Sequence, residues 1–72
     1  MVLCHLNGTP VRKGEVIKSL RNTEYLLTGG KAPHKPNSQG FVYVEDSNGL
    51  GAEFYPSVFN LTWLYIELDQ FL

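Results

Sequence analysis

Turn-forming residues interrupt this chain at short, regular intervals, and this spacing limits the secondary structure that it can form. Asn7-Gly8-Thr9-Pro10 ends the first apolar run, Gly29-Gly30 closes another, and Asp46-Ser47-Asn48-Gly49 separates two more. The stretches between such signals have the length of β-strands and are too short for stable helices. The sequence therefore predicts a mainly β protein.

The residues between the turns indicate where the strands lie. Phe41-Val42-Tyr43-Val44 is the strongest strand signal because it is wholly aromatic or β-branched, and it is predicted to form a hairpin with residues 52–55. Residues 16–17 and 24–28 predict further strands, the second of them ended by a Gly29-Gly30 turn of positive φ. Pro56-Ser57-Val58-Phe59 predicts one helical turn.

The C-terminal residues 61–72 fit two interpretations. The residue types of 62–66 favour a strand to about residue 67, with 68–72 as a tail or short helix. A helix is the alternative, because six apolar positions fit one helical face. They are Leu61, Leu64, Tyr65, Leu68, Phe71 and Leu72.

Length and cysteine content narrow the fold further. The 72 residues allow one domain, 1–72, and leave too much surface exposed for the deep cleft of most enzymes. The single cysteine, Cys4, excludes an internal disulfide, and one thiol with two histidines cannot complete a zinc site. We expect an all-β, SH3-like, partly open barrel of five to six antiparallel strands, with other small β folds as alternatives, and no catalytic residues, metal or cofactor.

Charge is unevenly distributed along the chain. Residues 1–36 carry all six basic residues against two carboxylates, a net of +4, whereas residues 37–72 carry five carboxylates and no Lys or Arg, a net of −5. Such a split favours a surface that attracts a polyanion at one end and a basic protein at the other. Pairing of the opposite charges across neighbouring strands is the alternative.

The candidate binding residues come from the basic half. Residues 31–40 contain two prolines and no large apolar side chain, which predicts an exposed loop. Within it, Pro33 and Pro36 stiffen an arch that presents His34 and Lys35. The predicted partner- or RNA-binding set is Arg12, Lys13, Lys31, His34 and Lys35. An inert solvated loop is the alternative.

Three other motifs are weaker. Cys4 and His5 are adjacent, so on a strand they point to opposite faces and cannot act together as nucleophile and base. Gly29-Gly30-Lys31 lacks the spacing of a phosphate-binding P-loop. Phe41 and Tyr43 are weakly similar to the base-stacking strand of RNA-binding domains, but we expect them, like Phe54, Phe59 and Trp63, to fill the core, with Tyr55 pointing away.

The N-terminal segment lacks the features of a secretion signal, and no apolar run is long enough to span a membrane. These features predict a soluble protein of a reducing compartment.

An ordered set of short motifs extends over most of the chain. It consists of Lys13-Gly14-Glu15, Tyr25-Leu26-Leu27, Pro33-His34-Lys35-Pro36-Asn37-Ser38, Gly40, Val42-Tyr43-Val44, Glu53-Phe54-Tyr55-Pro56-Ser57-Val58-Phe59, Leu61 and Trp63. In these residues the chain resembles a group of small phage-encoded RNA polymerase-binding regulators.

The resemblance implies a non-enzymatic transcription inhibitor and antitermination factor of the host cytoplasm. Such a protein binds host RNA polymerase at the β′ N-terminal region beside the RNA exit channel, with nascent RNA and host elongation factors as further candidate partners, and we expect a monomer. Two alternatives stay open: a small RNA-binding barrel that acts without polymerase, and a phage anti-defence inhibitor that uses the acidic half.

Overall fold

A computed structural model describes residues 1–35 and 37–65 of the chain. Within these residues the chain forms six β-strands and one short 3₁₀ helix. In order they are β1 (Val2–His5), β2 (Val16–Lys18), β3 (Glu24–Lys31), β4 (Phe41–Glu45), β5 (Gly51–Phe54), the 3₁₀ helix (Pro56–Phe59) and β6 (Leu61–Leu64). The predicted mainly β fold class and the helical turn are confirmed.

The strands form two antiparallel sheets. β1 pairs with β6, while β2, β3, β4 and β5 form a four-stranded meander in chain order. The first and last strands are thus neighbours, and the 3₁₀ helix leads into the last one. This is the predicted SH3-like, partly open barrel, because the two sheets share a core without closing into a continuous barrel. The described residues include no helix with the length and hydropathy needed to cross a bilayer.

The core is built mainly from aliphatic side chains. Val42 and Val44 of β4 are 0% and 1% exposed, and Val44 lies opposite the buried Leu27 of β3. Leu3 and Leu61 bring the other sheet into the same cluster. Cys4 is completely buried and His5 is exposed, which confirms that these two side chains point to opposite faces.

The burial of the aromatic side chains differs in part from the prediction. Phe59 is buried as predicted, and Tyr55 is 55% exposed and points away as predicted. Phe54 and Trp63 are half-buried against the edge of the core. The prediction that Phe41 and Tyr43 fill the core is wrong. The valines that alternate with them occupy the inner face, so both rings lie half-buried on the outer face of the sheet.

The prediction of a Gly29-Gly30 turn is also wrong. Both glycines lie inside β3, opposite Tyr43 and Val42, and neither has a positive φ. A register irregularity between Leu27 and Gly29 marks a β-bulge here. The glycines serve close packing, because a Cβ on Gly30 would lie 2.8 Å from Cζ2 of Trp63. The strand is therefore longer than its sequence pattern suggests.

The predicted loop 31–40 begins one residue later, because Lys31 is the last residue of β3. Most of its described residues are exposed, but Ala32 and Pro33 are half-buried and Gly40 is buried. Gly40 has a φ of 72°, and a side chain there would collide with the carbonyl oxygen of Lys31. The predicted C-terminal strand is present as β6. Its predicted continuation over 66–67, the tail or helix over 68–72, and Pro36 lie outside the described residues.

Candidate interaction surface

Three of the five predicted binding residues border two grooves that adjoin each other. The first, here called the loop groove, has a volume of about 750 Å³ and runs between the 32–40 loop and the β1–β6 sheet. Pro33, His34, Lys35, Ser38, Gln39 and Ser57 line one side of it, and Met1, Leu6, Leu61, Thr62 and Trp63 line the other.

Hydrogen bonds of backbone amides fix the loop that lines the loop groove. The amide of Ser57 donates a hydrogen bond of 3.1 Å to Oε1 of Gln39, which ties the loop to the start of the 3₁₀ helix. Ser38 closes the loop locally, because its backbone amide donates to the carbonyl oxygen of Lys35 and its Oγ accepts from the amide of Gly40. His34 and Lys35 are thus presented by a loop that is fastened at its far end.

The second cavity, here called the strand groove, has a volume of about 280 Å³ and is also lined by Trp63. Lys13 lines it together with Gly29 and Gly30 of β3. Backbone hydrogen bonds on both sides of Lys13 fix its position. The amide of Val11 donates to the carbonyl oxygen of Leu3, and the amide of Gly14 donates to the carbonyl oxygen of Leu27. Met1 and Trp63 line both grooves, so the two adjoin at these residues, and the pair is called here the depression around Trp63.

Trp63 is the floor that the two grooves share. It sits opposite Leu3 in the β1–β6 register, and its ring packs over Gly30 from the other sheet. Its Nε1 is buried and has no hydrogen-bond partner among the described residues. An apolar ring flanked by cationic side chains is suited to bind the apolar part of a partner that also carries negative charge.

The grooves are uniformly positive in sign. Among residues 1–35 and 37–65, no Asp or Glu lines either one, whereas Lys13, Lys35 and the titratable His34 do. Four of the described carboxylates line other clefts. Glu45 and Glu53 line a separate cleft on β4 and β5, and Glu24 and Asp46 border another beside Val16 and Leu26. These four carboxylates therefore lie apart from both grooves, although Glu24 is paired with Lys18 across β2 and β3.

Arg12 and Lys31 lie beside this depression rather than in it. Arg12 is exposed, and its backbone amide donates to the carboxylate of Glu15 at 3.1 Å. Lys31 pairs with Phe41 across β3 and β4, which places it on the outer face of the sheet. Lys13 thus lines the strand groove, His34 and Lys35 line the loop groove, and the other two predicted residues line neither.

The remaining basic residues lie away from the depression. Lys18 is paired in register with Glu24, and Arg21 lines a third groove with Tyr25, Phe54 and Val58. Their separation from Lys13 and Lys35 gives a matched pair of cationic sites for charge-reversal experiments.

Two features of the surface escaped the sequence analysis. Trp63 was assigned only to the core, because a sequence pattern does not show that its ring also forms the floor of a groove. Phe41 and Tyr55 were not connected, although their rings stack with centroids 5.3 Å apart at an angle of 21°. The available signal was the expectation that Tyr55 points away from the core, which identifies an exposed ring but not its neighbour.

The described residues contain no group of three or more His, Cys, Asp or Glu placed to hold a metal ion. The comparisons with known proteins found no matching family model, no similar curated protein and no similar solved structure.

Proposed function

We propose that this protein is a phage regulator that binds host RNA polymerase near the RNA exit channel, in the host cytoplasm. In this role it inhibits initiation at host promoters and lets elongating polymerase pass intrinsic terminators. It acts by occupancy of the β′ N-terminal region and not as an enzyme.

The observation that carries the proposal is the pair of adjoining grooves around Trp63, whose charged lining residues are basic and include no carboxylate of the described chain. A surface of this kind suits a partner that carries negative charge, such as the phosphates of RNA that leaves the exit channel. The resemblance of the sequence to small polymerase-binding phage regulators supports the same partner. Its motif includes Lys13, His34, Lys35 and Trp63, which all border the depression.

The position of the depression also fits a mechanism by occupancy. Its loop groove lies between the 32–40 loop and the β1–β6 sheet, and it combines apolar lining residues such as Trp63 with the basic His34 and Lys35. Such a surface gains affinity from burial of Trp63 and Met1, while Lys13 and Lys35 orient the protein on its partner. A protein held there would obstruct neighbouring RNA and protein contacts without chemistry of its own.

The proposal is tested by reversing charge at the depression. Lys13→Glu with Lys35→Glu should weaken binding to purified host RNA polymerase at least about tenfold, because attraction is lost and repulsion is added. Lys18→Glu with Arg21→Glu makes the same change in net charge outside both grooves and should bind like the wild type. All four side chains are exposed, so the Lys13/Lys35 variant should keep the thermal stability of the wild type. Lys18→Glu places a second carboxylate opposite Glu24, so the control variant should lose about 0.2–1 kcal/mol and still be folded.

Read-through of an intrinsic terminator by purified polymerase is the functional measurement. The wild type and the Lys18/Arg21 variant should raise it, and the Lys13/Lys35 variant should not. Equal binding and equal read-through by all three would show that the depression is not the contact surface. A wild type that neither binds polymerase nor changes read-through would overturn the proposed function itself.

A further inference from the structure

The outer face of the four-stranded sheet carries an aromatic pair, the half-buried Phe41 and the exposed Tyr55. Val42 lies opposite Phe54 in the register of β4 and β5, so continuing the pairing by one residue places Phe41 opposite Tyr55. Their rings are nearly parallel, 21° apart, with centroids separated by 5.3 Å. The second sheet does not cover this face, because it packs on the side where Val42 and Val44 are buried.

The stacking fixes the orientation of the Tyr55 ring. Tyr55 is 55% exposed although one face of its ring is against Phe41. A side chain with an exposed ring normally samples several rotamers, and ordering it on binding costs free energy. Here the half-buried Phe41 supports the ring in advance. Its free face is a flat, pre-oriented surface of the kind on which nucleic-acid bases stack.

A cation lies on the same row of the sheet. Lys31 is paired with Phe41 on β3, so Lys31, Phe41 and Tyr55 follow one another across three neighbouring strands. Strands are about 4.8 Å apart, so the Cα atoms of Lys31 and Tyr55 are separated by about 10 Å. One nucleotide can bridge this distance. Its base would lie over Tyr55, and its phosphate would reach the ammonium group of the extended Lys31 side chain.

Charge limits the length of the footprint. Glu53 lies opposite Tyr43 on the same outer face, one row from Phe41, and Glu45 follows beyond it. These carboxylates repel a backbone of phosphates that runs along the strands. The cationic row therefore accommodates one or two nucleotides, at the end of the sheet nearest the 32–40 loop.

We propose that Tyr55, Phe41 and Lys31 form a contact site for single-stranded RNA, in which a base stacks on Tyr55 and Lys31 neutralises a phosphate. A protein that covered the whole outer face would meet one cation and two carboxylates around the rings. The single row of Lys31, Phe41 and Tyr55 matches the phosphate and the base of one nucleotide. This site is separate from the depression around Trp63. Only the choice of RNA as the natural ligand rests on the proposed function.

The test uses the full chain and a fluorescein-labelled RNA of about ten nucleotides without self-complementarity, measured by fluorescence anisotropy at low salt. The wild type should bind with a Kd of about 10⁻⁶–10⁻⁴ M. Tyr55→Ala should weaken binding by about 5- to 100-fold, because a stacking partner is lost. Tyr55→Phe should bind like the wild type because it keeps the ring, and Lys31→Ala should bind less tightly and with a smaller salt dependence.

Tyr65→Ala is the matched control, since Tyr65 is 72% exposed and lies just past β6 rather than on the four-stranded sheet. It should bind RNA like the wild type. A drop equal to that of Tyr55→Ala, or equally tight binding of a duplex of the same length, would overturn the stacking site.

Binding to polymerase separates this inference from the proposed function. Tyr55→Ala should bind polymerase with wild-type affinity while it loses RNA. A wild type that binds polymerase but no RNA at about 1 mM protein would remove the RNA site and leave the polymerase proposal standing. Loss of polymerase binding in Tyr55→Ala, without RNA binding by the wild type, would identify the ring as a protein contact instead.

Discussion

Gly30 has no side chain, and its absence makes room for the indole ring of Trp63. Gly30 lies in β3 of the four-stranded sheet and Trp63 in β6 of the other, so their contact joins the two sheets. A Cβ at position 30 would meet Cζ2 of Trp63 at 2.8 Å and the carbonyl oxygen of Phe41 at 3.0 Å. Glycine is therefore required here for close approach rather than for an unusual backbone angle.

Gly30→Ala should lower the free energy of unfolding by about 1–3 kcal/mol, because the added methyl must displace a ring or a backbone carbonyl. Gly51→Ala is the control. Gly51 is also a strand glycine without positive φ, and its nearest neighbour to a Cβ is 4.0 Å away, so this change should be neutral or stabilising by about 0.5 kcal/mol. Urea unfolding followed by Trp63 fluorescence measures both. Equal stability of the two variants would contradict the close contact.

Trp63 itself combines a large packing surface with an unsatisfied donor. Trp63→Ala should destabilise the domain by about 2–4 kcal/mol, somewhat below the loss for a fully buried aromatic because the ring is half-buried. That is a large part of the roughly 4–11 kcal/mol expected for a domain of this length.

Trp63→Phe should cost much less than Trp63→Ala, because it keeps an aromatic ring and removes the buried Nε1 that lacks a described partner. Thermal unfolding followed by circular dichroism suits both variants, since the chain has no other tryptophan to serve as a fluorescent probe. Equal losses of stability in Trp63→Ala and Trp63→Phe would contradict this expectation. They would show that the buried Nε1 carries no cost and that another group satisfies it.

At the scale of elements, the β4–β5 hairpin depends on one carboxylate. Oδ1 of Asp46 accepts hydrogen bonds from the amides of Asn48 at 2.8 Å and Leu50 at 3.0 Å. The backbone of Asp46 is also paired with Leu50, and Gly49 takes a φ of 78° to complete the turn. The Asp46 carboxylate therefore satisfies two backbone amides of the turn, in addition to the hydrogen bonds between backbone groups.

Asp46→Ala should destabilise the protein by about 1–2 kcal/mol, because two amides lose a charged acceptor. Ser47→Ala changes the next residue of the same turn, which is exposed, and should stay within about 0.5 kcal/mol of the wild type. Chemical denaturation of both variants tests this difference. A Ser47→Ala loss as large as that of Asp46→Ala would mean that the turn is sensitive to any change.

The elements also show how far the sequence could be interpreted. Turn residues and β-branched runs predicted the hairpin at 41–55 and the 3₁₀ helix, because these signals are local. The face of β4 was not predictable in the same way. Phe41 and Tyr43 alternate with Val42 and Val44, and both sets are apolar, so the period of two could not show which pair faces the core.

The candidate surface was predictable only in part for a related reason. The sequence identified Lys13, His34 and Lys35 through charge and loop position, which are properties of the residues themselves. It could not show that Trp63 lies between them, because that arrangement depends on the pairing of β1 with β6 and on the space above Gly30. Long-range packing of this kind leaves no local pattern.

At the scale of the whole molecule, the described part of the chain separates the cations around Trp63 from several carboxylates of the acidic half. The depression around Trp63 is bordered by cations, and Glu45, Asp46 and Glu53 lie toward the opposite end of the β4–β5 hairpin. Opposed patches of this kind orient a small protein as it approaches a charged partner, and they act mainly on the association rate.

This asymmetry predicts how salt affects association with polymerase. The wild-type association rate should fall as ionic strength rises, because the Debye length shrinks from about 30 Å at 0.01 M to about 8 Å at 0.15 M and long-range steering is screened. Lys13→Glu with Lys35→Glu should flatten or reverse that dependence, whereas Lys18→Glu with Arg21→Glu, which changes net charge equally, should keep most of it. Surface plasmon resonance over a salt series with immobilised polymerase measures the three slopes. Equal slopes for the two double variants would show that net charge alone steers the encounter and that the cations around Trp63 do not direct it.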